Sequence, residues 1–279
     1  MLEGSQGHQA NLDQPDNAQE PDEKARFTQL YDDLKNQISS LVATVRLMGR
    51  EGVGKSTLNN TIFCAFTKEW REKKASYGGH KSVTKKIQKE ELVPDSIWLA
   101  DMPGFQKNSP FKLINKIIDG LFDGMSLKIG ENDEVQYNPF NNNLDSMMQS
   151  SFKQKTAIVL VFDIEDVDGE EDVVYRNIIT QLLDHGRNFY YPTFYFFLDF
   201  PCIGVVTKVD RLRGKGEKAI DESNFYTDKR VVDCCLRLKR KYGVNTVIPI
   251  MNYSGNTGLH HKTNYVALEI LKQAIDKAR

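Results

Sequence analysis

Eight residues near the start of the chain leave few folds open to it: Gly49-Arg50-Glu51-Gly52-Val53-Gly54-Lys55-Ser56. They fit the pattern G-x-x-x-x-G-K-[ST] of a phosphate-binding loop. The apolar run 41–48 before them predicts a buried strand, and the run 57–66 after them predicts a helix. A strand, a glycine turn and a helix N-terminus together direct backbone N–H groups and the positive end of the helix dipole at an anion. The sequence therefore predicts an α/β fold around a phosphate site.

The residues of this loop have expected roles toward a nucleotide. Gly49 and Gly54 permit a tight turn and a close backbone approach that a Cβ would block. Lys55 is predicted to reach the β- and γ-phosphates, and the Ser56 hydroxyl to ligate Mg²⁺. Four further positions of the loop and the first helical turn are expected to contact the nucleotide: Glu51, Gly52, Val53 and Thr57. A chance glycine turn followed by a lysine is the weaker interpretation, because it leaves the flanking strand and helix unexplained.

Composition excludes several classes of function. The chain has 279 residues, of which 40% are hydrophobic and 27% charged, as in ordinary soluble globular proteins. Its formal net charge of −1 provides no global field for binding nucleic acid. No apolar segment is long enough to span a bilayer, and no signal peptide is recognisable. Four cysteines without metal-ligand spacing indicate reduced, mostly buried thiols in a cytoplasmic protein: Cys64, Cys202, Cys234 and Cys235.

A second motif, Asp101-Met102-Pro103-Gly104, follows an apolar strand predicted at 97–100. Asp101, at the end of a strand beside the phosphate-loop strand, is expected to hold the Mg²⁺ shell directly or through water. The Gly104 N–H is expected to approach the γ-phosphate. The pattern D-x-x-G is weak by itself, because turns often contain Asp and Gly. Its position downstream of the phosphate loop gives it weight.

The charged segment 68–86 lies between these two motifs and is predicted to be a mobile loop. Within it, Thr84 is a candidate switch residue that would place its hydroxyl on Mg²⁺ and its N–H on the γ-phosphate only when the triphosphate is present. Ser82 is the alternative for this role. A solvated loop threonine with no ligand is the competing interpretation.

A third motif, Thr207-Lys208-Val209-Asp210, follows an apolar strand at 203–206 and fits [NT]-K-x-D. A carboxylate at Asp210 accepts from the guanine N1–H and the exocyclic amino group together, whereas adenine offers neither donor in that geometry. The Lys208 stem is expected to lie over the base plane. The tetrapeptide is weak alone and strong as the third motif in the correct order. Asn252-Tyr253-Ser254 follow the last predicted strand and are assigned to the guanine O6 by position only.

The order of phosphate loop, loop threonine, D-x-x-G and T-K-x-D resembles the regulatory GTPase superfamily over residues 41–279. This resemblance implies a mostly parallel sheet with helices on both faces, with GTP or GDP and Mg²⁺ bound at the carboxyl ends of the strands. A P-loop kinase or ATPase shares the first motif but has no use for Asp210. The long insertion with Tyr137-Asn138-Pro139, the segment 203–210 and the late 252–254 resemble the interferon-induced protein 44 and 44-like family. That family implies a cytoplasmic protein of innate defence.

The remaining patterns predict the domain organisation. Residues 1–21 are expected to be a disordered tail, 22–40 a leading helix, and 41–279 a GTPase-like domain with an insertion at about 105–156. The leading helix is expected to pack on the edge of the sheet, with partner binding as the lesser alternative. The aromatic run 189–200 is expected to complete the core, with a contact surface as the alternative.

Two departures from the GTPase pattern predict slow hydrolysis. Phe105 stands where Ras-type GTPases keep the glutamine that orients water, and its side chain has no hydrogen-bonding group. Glu51 adds a negative charge near the phosphates, which is unhelpful unless it points to solvent or meets an arginine. No arginine finger is identifiable, although Arg50 is close enough in sequence to be considered, and turnover without one is lower by about 10³- to 10⁵-fold.

The resulting prediction is a Mg²⁺-dependent GTP switch with weak GTPase activity, in which Lys55, Thr84 and Gly104 are the candidate catalytic groups. Its expected partners are a guanine nucleotide and a protein effector, with a homodimer through the nucleotide face as a candidate arrangement. A scaffold that binds GTP or GDP without useful hydrolysis is the alternative.

Overall fold

A computed structural model describes most of the chain: residues 20–39, 41–69, 88–106, 109, 111–122, 126–129, 135–138, 155–167, 173–189, 202–212, 220–221, 224–252 and 260–278. Several predicted features lie outside these ranges, namely the switch candidates Thr84 and Ser82, the base-site residues Tyr253 and Ser254, and the aromatic residues 190–200.

The described elements alternate between strands and helices along most of the chain. They are α1 (Glu20–Ile38), β1 (Ala43–Met48), α2 (Lys55–Thr67), β2 (Gln88–Val93), β3 (Ile97–Asp101), α3 (Phe111–Phe122), β4 (Ser126–Ile129), β5 (Val135–Asn138), β6 (Lys155–Asp163), α4 (Val173–Phe189), β7 (Cys202–Thr207), α5 (Lys229–Tyr242), β8 (Val247–Pro249) and α6 (His261–Ala278).

Six strands form the central sheet in the order β2-β3-β1-β6-β7-β8. The pairs from β3 through β8 are parallel, and β2 alone runs antiparallel to its neighbour β3. This topology confirms the predicted α/β class with a mostly parallel sheet. The order places the phosphate-loop strand β1 between the strand that ends in Asp101 and the strand β6.

Both faces of the sheet are covered. Every residue of β1 and of β7 is buried, and because successive side chains of a strand point to opposite faces, both faces must be packed. On one face the ring of Phe162 lies 4.4 Å from that of Tyr175 in α4 and 5.3 Å from that of Tyr242 in α5. Helix α6 packs against β1, β6 and β7 and forms a second group with α1 and α2.

The leading helix differs from its prediction. It begins at Glu20, two residues before the expected position, and it packs against α6 and not on the edge of the sheet. Its Tyr31 ring also contacts that of Phe66 in α2, with 5.7 Å between centroids. The sheet-edge prediction is wrong because α6 already covers the sheet here, so α1 forms an outer helical layer. Helical periodicity alone does not distinguish these two partners.

Two helix boundaries and the insertion also differ from the predictions. The apolar spacing of the sequence predicts a helix over residues 170–185, whereas α4 spans Val173–Phe189. The sequence likewise predicts an amphipathic helix over residues 225–242, whereas α5 begins at Lys229. Asp228 sets the start of α5, because its side chain caps the helix by accepting the Arg230 N–H at 2.9 Å. In the insertion, apolar residues at helical spacing over 111–121 predict a short helix, which is present as α3. The insertion also contains an antiparallel β4–β5 pair that its polar composition did not predict.

The free thiols agree with the expectation of buried cysteines. All four are buried without a disulfide: Cys64, Cys202, Cys234 and Cys235. Burial raises the pKa of Cys235 to about 12 and that of Cys202 well above its usual value, which keeps both thiols protonated and unreactive. None of the helices in the described part of the chain combines the length and apolar composition that crossing a bilayer requires.

Candidate functional site

The loop after β1 has the backbone that its glycines predict. Gly52 and Gly54 adopt left-handed conformations with φ of 74° and 92°, and α2 begins directly afterwards at Lys55. At Gly49, a Cβ would lie 2.4 Å from the carbonyl oxygen of Val161 in β6, so the position admits only glycine. The predicted sequence of strand, glycine turn and helix N-terminus is therefore present.

Lys55 points back into the loop. Its Nζ donates to the carbonyl oxygens of Gly49 at 3.1 Å and Arg50 at 2.8 Å, and the residue is only 6% exposed. Burial lowers the pKa of Lys55 to about 8, and the negative charges of Asp101 and Glu51 partly oppose this shift. The ammonium therefore lies in a poorly solvated position beside the helix N-terminus, where an anion would replace the missing solvation.

Ser56 and Asp101 meet where β3 and α2 converge. The Ser56 hydroxyl donates to Asp101 Oδ2 at 2.5 Å, and Asp101 is fully buried at the end of β3. A hydroxyl and a carboxylate are the hard oxygen ligands that Mg²⁺ takes in phosphate sites, where it also keeps water and phosphate oxygens. The residues present therefore fit a magnesium ion beside the phosphate loop. Thr84, the third predicted ligand, lies outside the described residues.

The segment after Asp101 is attached to the phosphate loop. The Phe105 N–H donates to the Gly49 carbonyl at 3.2 Å, and the Glu51 N–H donates to the Phe105 carbonyl at 2.8 Å. Gly104 packs so tightly on the loop that a Cβ there would lie 2.8 Å from the Glu51 Cα. The Phe105 side chain is 2% exposed and belongs to the core. It therefore offers no group that orients a water molecule, as the sequence predicted.

The third motif reaches the same loop from β7. The Thr207 hydroxyl lies 2.5 Å from the Val53 carbonyl and 3.2 Å from the Phe162 carbonyl, and it is fully buried. A Cβ on Gly54 would lie 3.4 Å from Thr207 Oγ1 and 3.5 Å from Asn252 Nδ2, so the last motif borders the loop as well. Residues predicted from four separate segments thus converge at the carboxyl ends of the strands.

The other two members of this motif lie nearer the surface. Lys208 has a left-handed backbone with φ of 58°, and its ammonium pairs with Asp163 at the end of β6. Asp210 lies in the short 3₁₀ turn Val209–Arg211, and its side chain is exposed. A base that hydrogen-bonds to the Asp210 carboxylate would cover that carboxylate. Lys208 lies two residues before Asp210 in the chain.

Sequence reasoning missed two residues that hold the phosphate loop. The Arg50 N–H donates to the Tyr175 hydroxyl at 3.3 Å, and that hydroxyl donates to the Val161 carbonyl at 2.5 Å. The Arg50 guanidinium pairs with Asp166 at 2.9 Å, which places the head group at the turn after β6 and makes Arg50 a structural tether in this conformation, not an arginine finger. Asp166 lies just past the apolar run 157–162, which by itself predicts a buried strand, so its position was a signal. Nothing in the sequence marks Tyr175.

Comparison with known proteins agrees with this geometry. The sequence profile of the family described as 50S ribosome-binding GTPase matches residues 44–189, just over half of the chain. A search of curated proteins found no match.

Several solved structures resemble this chain at low sequence identity. Toc33 from Arabidopsis thaliana in complex with GDP and Mg²⁺ is 13% identical, with 92% of each chain covered and a TM-score of 0.44. The elongation factor SelB from Methanococcus maripaludis is 14% identical over 85% of this chain and 34% of its own, with a TM-score of 0.42. The bacterial dynamin GTPase LeoA from ETEC is 14% identical over 93% of this chain and 45% of its own, with a TM-score of 0.40.

Proposed function

This chain belongs to the 50S ribosome-binding GTPase family and carries a GTP-binding GTPase domain, and from this premise we propose that it is a Mg²⁺-dependent guanine-nucleotide switch with slow intrinsic hydrolysis. The observation that carries the proposal is the Thr207 hydroxyl bonded to the Val53 carbonyl. This contact joins the segment that would read the base to the loop that would hold the phosphates. A site that bound phosphate alone would not require a contact between Thr207 and Val53.

The proposed roles follow from the geometry. Lys55 would neutralise the β- and γ-phosphates, and the loop N–H groups at the start of α2 would hold the β-phosphate. Ser56 and Asp101 would hold Mg²⁺, which when bound neutralises charge on the β- and γ-phosphates. Asp210 would accept from guanine, and Asn252 borders the loop at Gly54, as Thr207 does. Thr84 and the Gly104 N–H would sense the γ-phosphate, and Tyr253 and Ser254 would face the guanine O6.

Slow hydrolysis is proposed because the position after Gly104 is occupied by a buried phenylalanine. Phe105 is 2% exposed and its carbonyl and N–H are both bonded to the phosphate loop. Arg50, which the sequence left as a candidate, is paired with Asp166. Lacking a water-orienting group and an arginine finger at these positions, the isolated protein is expected to turn over well below the rate of about 1 s⁻¹ that marks well-equipped phosphoryl-transfer enzymes.

The cellular setting is proposed from the resemblance to the interferon-induced protein 44 and 44-like family. On that basis the protein acts in the cytoplasm in innate-defence signalling, and a protein effector reads the surface around Thr84 in the GTP state. A homodimer through the nucleotide face is a second candidate arrangement. Neither of these partners requires a nucleic acid.

Phosphate release separates this switch from the alternative, a scaffold that binds GTP or GDP without useful hydrolysis. The switch predicts slow phosphate release that depends on Mg²⁺ and disappears when magnesium is chelated. Multiple turnover at or above about 1 s⁻¹ by the isolated protein would contradict slow hydrolysis. Tight GTP binding with no phosphate release, in Mg²⁺ or without it, would support the scaffold, which the buried Phe105 also favours.

A further inference from the structure

Asp163 is the last residue of β6, and it lies beside the segment that would read the base. In the parallel pairing of β6 with β7, Asp163 is opposite Thr207, the residue that precedes Lys208. Asp163 is buried. A buried carboxylate is rare unless a partner compensates its charge. The position of Asp163 therefore requires a partner on a neighbouring segment.

Both carboxylate oxygens of Asp163 have a partner. Oδ1 accepts the backbone N–H of Glu165 at 3.1 Å and caps the short 3₁₀ turn Ile164–Asp166. Oδ2 accepts a hydrogen bond from the Lys208 ammonium. The side chains of Lys208 and Asp163 are only 23% and 11% exposed, so water and salt screen this pair less than they screen an ion pair on the surface.

Lys208 has an unusual backbone conformation for its residue type. Its φ of 58° lies in the left-handed region, which residues with a Cβ seldom adopt. Lys208 immediately precedes the 3₁₀ turn Val209–Arg211, and its carbonyl accepts the Arg211 N–H at 2.9 Å. Such a conformation persists where surrounding contacts hold it. The ion pair with Asp163 is one of these contacts, and it ties Lys208 to the end of a buried strand.

The two 3₁₀ turns that follow β6 and β7 lie against each other. Asp163 caps the first turn and binds the residue that precedes the second. Asp210, the carboxylate that would meet guanine, is the central residue of the second turn. A change in the Lys208 backbone would therefore reorient Asp210, whereas the phosphate loop is held by its own contacts with Tyr175 and Phe105.

We propose that Asp163 is a positioning residue for base recognition, which holds Lys208 in its left-handed conformation and thereby orients Asp210 toward guanine. This inference rests on the proposed function, because it concerns the same nucleotide site. Asp163 acts through Lys208 and needs no contact with the nucleotide. Loss of its charge is therefore expected to weaken recognition of the base and to leave binding of the phosphates intact.

The test measures the affinities of the full chain for GDP and for pyrophosphate, with Mg²⁺, in wild type and Asp163→Asn. Asparagine keeps the oxygen that caps the turn Ile164–Asp166, but it places a neutral amide opposite the Lys208 ammonium. The GDP affinity is expected to fall by about tenfold, a loss typical of a hydrogen bond to a charged group. The affinity for pyrophosphate, which has no base, is expected to stay at the wild-type value.

A double-mutant cycle that needs only GDP tests whether Asp163 acts through Lys208. Lys208→Met removes the partner of the carboxylate, so adding Asp163→Asn to that variant is expected to cause no further loss of GDP affinity. Glu165→Gln is the matched control, because it removes the charge of an exposed side chain in the turn that Asp163 caps. It is expected to bind GDP with the wild-type affinity.

Each outcome supports the inference or overturns it. Wild-type GDP affinity in Asp163→Asn would overturn it and leave the proposed function standing. An equal loss of GDP and pyrophosphate affinity, or a loss of GDP affinity that recurs in full in the Lys208→Met background, would assign Asp163 a general structural role and overturn the inference as well. Failure of the wild type to bind GDP would overturn the proposed function and this inference together.

Discussion

The hydroxyl of Thr207 lies 2.5 Å from the carbonyl oxygen of Val53, across 154 residues of sequence. Thr207 ends the strand β7 and opens the segment that contains Asp210, while Val53 lies inside the phosphate loop. Both residues are buried, at 0% and 2% exposure. The bond fixes the distance between the phosphate loop and the segment that contains Asp210. A nucleotide whose phosphates fit the loop and whose base fits that segment would therefore bind to a preformed site.

Replacing Thr207 by Val is expected to weaken GDP and GTP binding equally. The valine side chain has nearly the same volume but cannot donate, so the Val53 carbonyl loses its partner. A hydrogen bond of this kind contributes about 0.5–1.5 kcal/mol, which corresponds to a loss of roughly two- to tenfold in affinity. Calorimetric titration of both nucleotides checks the prediction. Thr263→Val, at a buried threonine of α6, is the control and should leave the affinities unchanged.

Tyr175→Phe is expected to loosen the phosphate loop. The substitution removes the hydroxyl that accepts the Arg50 N–H and donates to the Val161 carbonyl, and it leaves the buried ring in place. The Arg50 N–H and the Val161 carbonyl then lose this hydroxyl, and a backbone group left unsatisfied costs about 1–3 kcal/mol. Faster dissociation of GDP and GTP, with unchanged preference for guanine over adenine, is the expected result in a stopped-flow chase with a fluorescent nucleotide.

Tyr242→Phe is the matched control for this prediction. Tyr242 packs on the same ring of Phe162, with 5.3 Å between centroids, but lies in α5. It is expected to leave nucleotide dissociation at the wild-type rate even where it lowers the melting temperature. Equal acceleration in both variants would show that Tyr175 acts only through the stability of the aromatic cluster.

Much of this architecture follows from local sequence because the buried strands are nearly continuous apolar runs. The runs before Gly49, Asp101 and Thr207 predict strands, and parallel neighbours must deliver their loops to one edge of the sheet. The first residues of helices α4 and α5 were harder to predict, because capping and packing determine where a helix begins. In α5 the cap is Asp228. Those boundaries depend on side-chain hydrogen bonds that periodicity does not encode.

The contacts that hold the loop in place were not predictable in the same way. Tyr175 faces the loop only because α4 packs over β6 at one particular rotation, and 125 residues separate it from Arg50. The polar insertion likewise gave no strong alternation that would predict the β4–β5 pair, whose strands have four residues each. The chemical roles of the motif side chains could be predicted from the sequence. Their partners in the tertiary structure could be identified only from the fold.

The pH dependence of stability should carry the signature of Lys55. Burial lowers its pKa to about 8 from 10.5, so between these values the unfolded chain binds more protons than the folded one. Stability from this group therefore rises as pH increases from about 8 to 10.5. Over this pH range the free energy of unfolding gains about 3 kcal/mol from this group.

Lys55→Met isolates this contribution. Urea unfolding of nucleotide-free wild type and variant, with magnesium chelated, gives the difference in their free energies of unfolding at each pH. Between pH 8 and 10.5 the free energy of unfolding of the wild type is expected to rise by a few kcal/mol relative to that of the variant. Between pH 6 and 7 the difference between the two free energies should be constant. A difference that does not change with pH would contradict the lowered pKa.

Asp210→Asn is expected to change which base the protein prefers. An amide cannot accept two hydrogen bonds from the guanine N1–H and amino group, but it can donate to the oxygen that xanthine carries in place of that amino group. GTP affinity is expected to fall by tenfold or more, while that for xanthosine triphosphate rises. Competition between the two nucleotides reports the shift directly. Unchanged GTP affinity in this variant would remove Asp210 from the site.

The central claim, a site that recognises guanine nucleotides, is tested most directly by calorimetric titration of the full chain with GTP, GDP and ATP in the presence of Mg²⁺. Binding of GTP and GDP with no detectable binding of ATP is the predicted result, because only guanine offers two donors to Asp210. Equal binding of ATP, or no binding of any of the three, would contradict the account.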